Sequence, residues 1–280
     1  MKATIRLDKM LGNLGYGTRS GIKILVKQGA VTVNGKTAKD HGMQINPNLD
    51  IVVLDGETIR YRDTVYVLLH KPAGVVSATE DSRDRTVIDL LDEDLAVLSP
   101  FPVGRLDKDT EGLLLITNDG KLSHELLSPR KHVPKTYRAL VSGEVGAEDA
   151  EAFRLGVALD DGYVTMPAEL SVLARSKGDE LPSAAVEKHA EEMAKAIELA
   201  PREEEPVQHA ALSWIELTIH EGKFHQVKRM FEAVGKKVLY LRRVSMGPLQ
   251  LDPALAPGEW RELTEEELDS LRNYRKEGLA

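Results

Sequence analysis

The 280-residue chain contains no cysteine. Disulfide frameworks, thiol nucleophiles and zinc–thiolate sites are therefore excluded together. Long apolar runs are also lacking. Uninterrupted aliphatic stretches such as Leu113-Leu114-Leu115-Ile116 are only a few residues long, far too short to span a bilayer. The opening Met1-Lys2-Ala3-Thr4-Ile5-Arg6-Leu7-Asp8-Lys9 meets charge before an apolar run can build, unlike a signal peptide. The expectation is a cytoplasmic protein with no membrane partner. Metal-ligand spacing is missing too. Eight histidines are scattered, and His124-Glu125 lacks a second histidine four positions on, where two ligands would share a helical face. Gly12-Asn13-Leu14-Gly15-Tyr16-Gly17 follows no predicted strand and has the wrong spacing for a dinucleotide loop; no Walker lysine motif occurs. The expected chemistry uses no metal and no cofactor.

What is present describes a folded chain of about two domains, at roughly 150 residues each. Apolar residues make up 42% and charged residues 29%, which is not a disordered composition. The formal charge of −8, from 37 basic and 45 acidic residues, is unevenly spread. Residues 1–62 hold ten Lys/Arg against five Asp/Glu, whereas the other 218 hold 27 against 40. A basic module on an acidic body suits a polyanion partner, although an excess of five charges also fits a module with no such partner.

The module reads helix, turn, helix, strand, hairpin. Leu7, Met10, Leu11 and Leu14 form one apolar face over Arg6 to Leu14. Thr18 or Ser20 caps a second helix through Ile22, Leu25 and Val26, ended by Gly29. Val31-Thr32-Val33 then enters an Asn34-Gly35 turn, and Ile51–Leu54 is a strand turned by Asp55-Gly56. In the body, Val65–Leu69, Leu113–Thr117, Lys135–Gly143 and Leu212–His220 read as strands. Leu113–Thr117 is apolar at consecutive positions, as a strand covered on both faces would be. Helices are expected after Asn118-Asp119-Gly120, over Phe224 to Val234, and from a capping box at Thr264. Residues 175–210, with nine acidic and five basic residues between flanking Pro182 and Pro206, read as an inserted surface excursion. One amphipathic helix, with a stripe at Val186, Ala190, Met193 and Ile197, is expected there as solvated decoration.

Two clusters could carry chemistry. Gly104-Arg105-Leu106-Asp107-Lys108-Asp109-Thr110-Glu111-Gly112 packs five charges between glycines just before the buried strand. It fits an ordinary loop at a sheet edge, or a loop holding a carboxylate at the floor of a cleft. A carboxylate in a cleft needs a partner to stay ionised. Lys228, on the flank of the helix whose apolar face is Val227, Met230, Phe231 and Val234, could supply it or be a solvated lysine.

Gly104-Arg105-Leu106-Asp107 with Thr110 and Gly112-Leu113-Leu114 resembles the signature loop of the ribosomal pseudouridine synthases. Lys135-Thr136-Tyr137 and Phe224-His225-Gln226-Val227-Lys228-Arg229-Met230 resemble its two later motifs, in order. His70-Lys71-Pro72-Ala73-Gly74 resembles its entry strand and turn. Arg6-Leu7-Asp8-Lys9, Thr18-Arg19-Ser20 and Val31-Thr32-Val33-Asn34-Gly35 resemble the RNA-binding domain first seen in a small-subunit ribosomal protein. The resemblance covers nearly the whole chain except 175–210. The last motif is most similar to the branch acting on 16S rRNA, whose family target is uridine 516.

The resemblance implies an α+β fold. An RNA-binding module of helix-turn-helix plus strands (1–60) and a linker (61–64) would precede a mixed, largely antiparallel catalytic sheet domain (65–280). It implies an isomerase of rRNA, acting as a monomer on 16S rRNA or the assembling small subunit. Asp107 would be the essential carboxylate, attacking either the ribose anomeric carbon or the uracil ring, or assisting glycosidic cleavage; Tyr137 would stack on uracil and help move the ring proton, and Lys228 would pair with Asp107. Removing one member of such a buried pair costs about 3–5 kcal/mol. Arg105, Arg6, Lys9, Arg19, Lys27, Lys71 and Arg229 would contact RNA. The uridine must leave its stack, at about a few kcal/mol. Two other readings stay open: a non-catalytic RNA-binding assembly factor, and a carboxylate-based glycoside or nucleoside hydrolase.

Overall fold

The computed structural model describes residues 4–274 apart from 48, 60, 178–186 and 201–210. In the N-terminal module β1 (Ile5–Arg6) leads into α1 (Leu7–Asn13) and α2 (Arg19–Lys27). Next come β2 (Val31–Val33), β3 (Lys36–Thr37), β4 (Gln44–Ile45), β5 (Val52–Leu54) and β6 (Glu57–Ile59). Thr18, not Ser20, caps α2, its hydroxyl accepting from the Gly21 N–H at 3.2 Å. Asn34-Gly35 and Asp55-Gly56 both take left-handed φ values, the tight-hairpin geometry that joins β2 to β3 and β5 to β6. The buried face of the helices (Leu7, Met10, Leu11, Ile22, Val26) closes on Val31, Val33, Val52 and Leu54.

Asp8 ties the two helices together. Its side chain is buried, yet accepts from Arg6 Nε at 2.9 Å, Arg6 Nη2 at 2.7 Å and Arg19 Nε at 3.0 Å. These bonds, led by Arg6, hold its carboxyl down at about 2. A depressed carboxylate stabilises the fold above its unfolded value near 3.8, and that stability is lost as pH falls through about 2. Acid unfolding of the module between pH 4 and 2 is expected, and Asp8→Asn should flatten it; circular dichroism against pH measures both.

The body carries β7 (Tyr66–Lys71), α3 (Glu93–Ala96), β8 (Phe101–Pro102), β9 (Glu111–Thr117) and α4 (Gly120–Leu127). It continues with β10 (Lys135–Ser142), α5 (Ala147–Leu155), β11 (Glu169–Lys177), α6 (Glu187–Leu199) and β12 (Ala211–Ile219). It ends with α7 (Gln226–Ala233), β13 (Lys237–Met246), β14 (Leu249–Gln250), β15 (Trp260–Glu262) and α8 (Glu265–Arg272). One sheet runs in the order β11-β12-β10-β13-β9-β7-β15. Its pairs are antiparallel except for β13 with β9. The mixed, largely antiparallel α+β architecture is the one the sequence leads to. Among the described residues no helix is long and apolar enough to cross a membrane.

Every residue of β9 is buried. One face packs Leu114 and Ile116 with α7; the other packs Leu113 and Leu115 with α4 and α8. Two covered faces explain why its apolar residues are consecutive. Where β13 crosses β9, Gly112 lies opposite Arg243 at a φ of +107°, and a Cβ there would stand 2.2 Å from the Arg243 carbonyl oxygen. Only glycine permits this approach.

The expected helix within 175–210 forms, but it is not solvated decoration. Met193 and Ala196 of α6 are buried with Trp214, Tyr240 and Leu140, and Glu192 grips Arg138 at 2.6 and 2.7 Å. The helix covers the back of the sheet, because that face presents a tryptophan and a tyrosine needing apolar cover. Arg175 belongs to β11, while Pro182, Val186 and Pro206 lie outside the described residues.

Candidate active site

The front of the sheet opens into a cleft of about 550 Å³, lined in part by Arg105, Asp107, Tyr137, Lys135, His225 and Arg243. Its floor is built by alternation: Lys135 and Tyr137 lie two apart on β10, hence on one face, and Tyr137 is in register with Arg243 of β13. Tyr137 is largely buried, its ring shared between the cleft and the core.

The loop bearing Asp107 is clamped from beneath. Lys71 Nζ donates to the carbonyls of Asp107 (3.0 Å), Thr110 (2.9 Å) and Pro72 (3.0 Å). Ser77 Oγ donates to the Leu106 carbonyl at 2.9 Å and accepts from its N–H at 3.1 Å. With its backbone pinned on both sides, Asp107 presents a partly exposed carboxylate to the cleft. There Oδ1 lies 3.5 Å from His225 Nε2 and Oδ2 lies 3.8 Å from Lys228 Nζ. His225 adopts a left-handed φ of 49° just before α7, and its ring stacks on that of Phe224 with centroids 3.7 Å apart.

Two expected contacts are corrected and a third is shared. Lys228 forms the expected ion pair with Asp107, at 3.8 Å, but donates at the shorter distance of 2.7 Å to both oxygens of Asp109, which is 68% exposed. The exposed carboxylate is the cheaper partner because neither group has to leave water fully. Lys228→Met is therefore expected to change stability by less than about 1 kcal/mol, not 3–5, as a denaturant midpoint would measure. Lys71 is wholly buried and cannot reach RNA; burial pushes its amine down to about 8, and the carbonyl clamp occupies it. Arg229 is held by Asp160 (2.6 Å from Nε) and Asp161 (2.7 Å from Nη2), so it braces a loop rather than facing the cleft.

Arg105 is exposed at the cleft mouth. On the module, Lys9 and Lys27 are exposed, whereas Arg6 and Arg19 bond Asp8 while staying 39% and 71% exposed. The sequence reading missed Lys135, His225 and Arg243 as cleft residues. Lys135 was findable, two positions before Tyr137 on an alternating strand; Arg243 carried no local signal.

The model of the RNA pseudouridylate synthase family matches residues 65–233, and the S4 domain model matches residues 5–51. The chain thus belongs to the RNA pseudouridine synthases, isomerases that act on RNA. It is 47% identical to a Bacillus subtilis protein described as an uncharacterized RNA pseudouridine synthase, YtzG, across 95% of this chain and 98% of that one. It is 37% identical to ribosomal small subunit pseudouridine synthase A of Vibrio cholerae, across 95% and 99%. Ribosomal large subunit pseudouridine synthase B of Bacillus subtilis is 34% identical, across 98% of each. A crystal structure of a pseudouridylate synthase superposes with a TM-score of 0.58 at 32% identity, covering 95% of this chain and 99% of that one.

Proposed function

We propose that this protein converts one uridine of 16S rRNA, the family target uridine 516, to pseudouridine during assembly of the small subunit. It would act in the cytoplasm, as a monomer, with Asp107 as the essential carboxylate. The carrying observation is the meeting of Asp107 and Tyr137 in one cleft from separate parts of the chain. The C1′–N1 bond of the extruded uridine breaks, the uracil turns against Tyr137, and C5 bonds C1′ in place of N1. Atoms and charge balance overall, so the reaction draws on no energy source. Residues 1–60 would be the RNA-binding domain and 61–64 the linker, with 65–280 the catalytic domain. Arg105 would reach RNA beside the vacated stack.

The small-subunit target is supported by the Phe224–Met230 motif and by the Vibrio relative's name. The large-subunit enzyme at 34% identity makes 23S rRNA the competing target. Pseudouridine mapping of both rRNAs from cells with and without the gene decides between them: loss of one 16S site is expected, and loss confined to 23S rRNA overturns the assignment. Lys9 and Lys27, exposed on one module, should each release about one counterion on binding RNA. Replacing both with Gln is expected to reduce the salt slope of RNA affinity by about two, read from binding isotherms at several salt concentrations.

A further inference from the structure

Lys135 and Arg243 place two positive charges on the cleft floor beside Tyr137, and among the described residues neither has a carboxylate in contact. Arg243 is 2% exposed; its Nε donates to the Leu113 carbonyl at 2.8 Å, while the buried Nη2 meets no acceptor among the described residues. Lys135 Nζ donates to the Val133 carbonyl at 3.0 Å, leaving two hydrogens for another acceptor. Burial, and secondarily the charge of Arg243, push the Lys135 amine down to about 8, with Glu221 opposing. Glu221 is itself occupied, accepting from the Tyr163 hydroxyl, the Met166 N–H and the Gln226 amide. Two desolvated cations facing a cleft are costly until acceptor oxygens arrive.

We infer that Lys135 and Arg243 bind the exocyclic oxygens of the uracil and stabilise the charge it carries while detached from the ribose. The inference rests on the pseudouridine synthase reading. When C1′–N1 breaks, its electron pair stays on the base and spreads over N1, O2 and O4, while the Asp107 carboxylate takes up C1′. When C5 bonds C1′, the carboxylate leaves with its own pair and the C5 proton passes to N1. Fixed donors aimed at oxygens that gain charge only in this interval lower the barrier without tightening ground-state binding. Depth favours the base over the backbone phosphates. Arg243 is more buried than Tyr137, on whose ring the base would stack, whereas a phosphate stays at the mouth, near exposed Arg105.

The test uses the full-length protein and an oligoribonucleotide containing the mapped target, prepared with uridine, 2-thiouridine or 4-thiouridine at that position. Sulfur accepts hydrogen bonds more weakly than oxygen, so at least one thio substrate should slow the wild type about tenfold. Lys135→Met and Arg243→Met should each lower the single-turnover rate on uridine about 10²–10³-fold, with RNA affinity within threefold. Each variant should also lose the thio effect belonging to its own contact, since a bond cannot be weakened twice. Thio effects that persist undiminished in both variants, or losses confined to RNA affinity as a phosphate contact would give, overturn the inference. If Arg243→Met fails to fold, Lys135→Met alone decides. A wild type that converts no uridine in either rRNA overturns the parent reading instead.

Discussion

Asp107→Asn is expected to lower single-turnover pseudouridine formation at least a thousandfold, about 4 kcal/mol of barrier. The amide keeps the shape of the carboxylate but lacks the negative charge that an attacking or assisting carboxylate needs. Little else should change. The Lys71 clamp binds the backbone carbonyl of Asp107, and among the described residues the side chain's ion-pair contacts are the longer ones to His225 and Lys228. Stability should therefore stay near wild type. RNA affinity should hold within a few-fold, because phosphate contacts dominate it. Turnover retained near wild-type rates in single-turnover assays would remove Asp107 from the chemistry.

Lys71→Met should separate activity from stability in the opposite sense to a core mutation. Two large effects oppose each other. Removing the amine leaves the Asp107 and Thr110 carbonyls without that donor, at about 1–3 kcal/mol for each that stays unsatisfied. It also relieves the burial of a cation whose pKa is depressed from 10.5 to about 8, worth roughly 3 kcal/mol. The Pro72 carbonyl loses the same donor, so the relief offsets the lost hydrogen bonds only in part, and the variant should lose about a few kcal/mol of stability or less. Activity should not be spared. With the loop unclamped, Asp107 is free to move by an ångström, and misplacement on that scale costs about a hundredfold in rate. A variant of near-normal stability and activity would show that Ser77 alone holds the loop.

Much of the fold was legible because it rests on local periodicity. The α1 and α2 faces, both Asx-Gly hairpins, the doubly covered strand β9 and the apolar face of α7 each declare themselves within about ten residues. Strand β13 did not. Its central Leu239-Tyr240-Leu241-Arg242-Arg243 places a charge on each face of the sheet, and no local rule predicts a buried arginine in a central strand. The helix α6 was visible as an amphipathic stripe, but not the Trp214 and Tyr240 surface that it covers.

The candidate site divides in the same way. Asp107 and Tyr137 were identifiable from motif residues at fixed spacing, and their shared cleft follows the expectation. The partners were not. Lys228 had two acidic residues within reach, and solvation favoured the exposed Asp109 over Asp107. Lys71 is expected to contact RNA from the resemblance of its motif, and only the fold shows four backbone carbonyls around its amine.

From residue order alone came the elements, the basic module ahead of an acidic body, and the family-specific aspartate and tyrosine, because these depend on short-range spacing and composition. Tertiary structure alone decided which cations are buried, which carboxylate each one meets, and that Lys135 and Arg243 converge beside Tyr137. Those outcomes depend on competing desolvation and pairing energies between groups up to a hundred or more positions apart, and no local pattern encodes that competition.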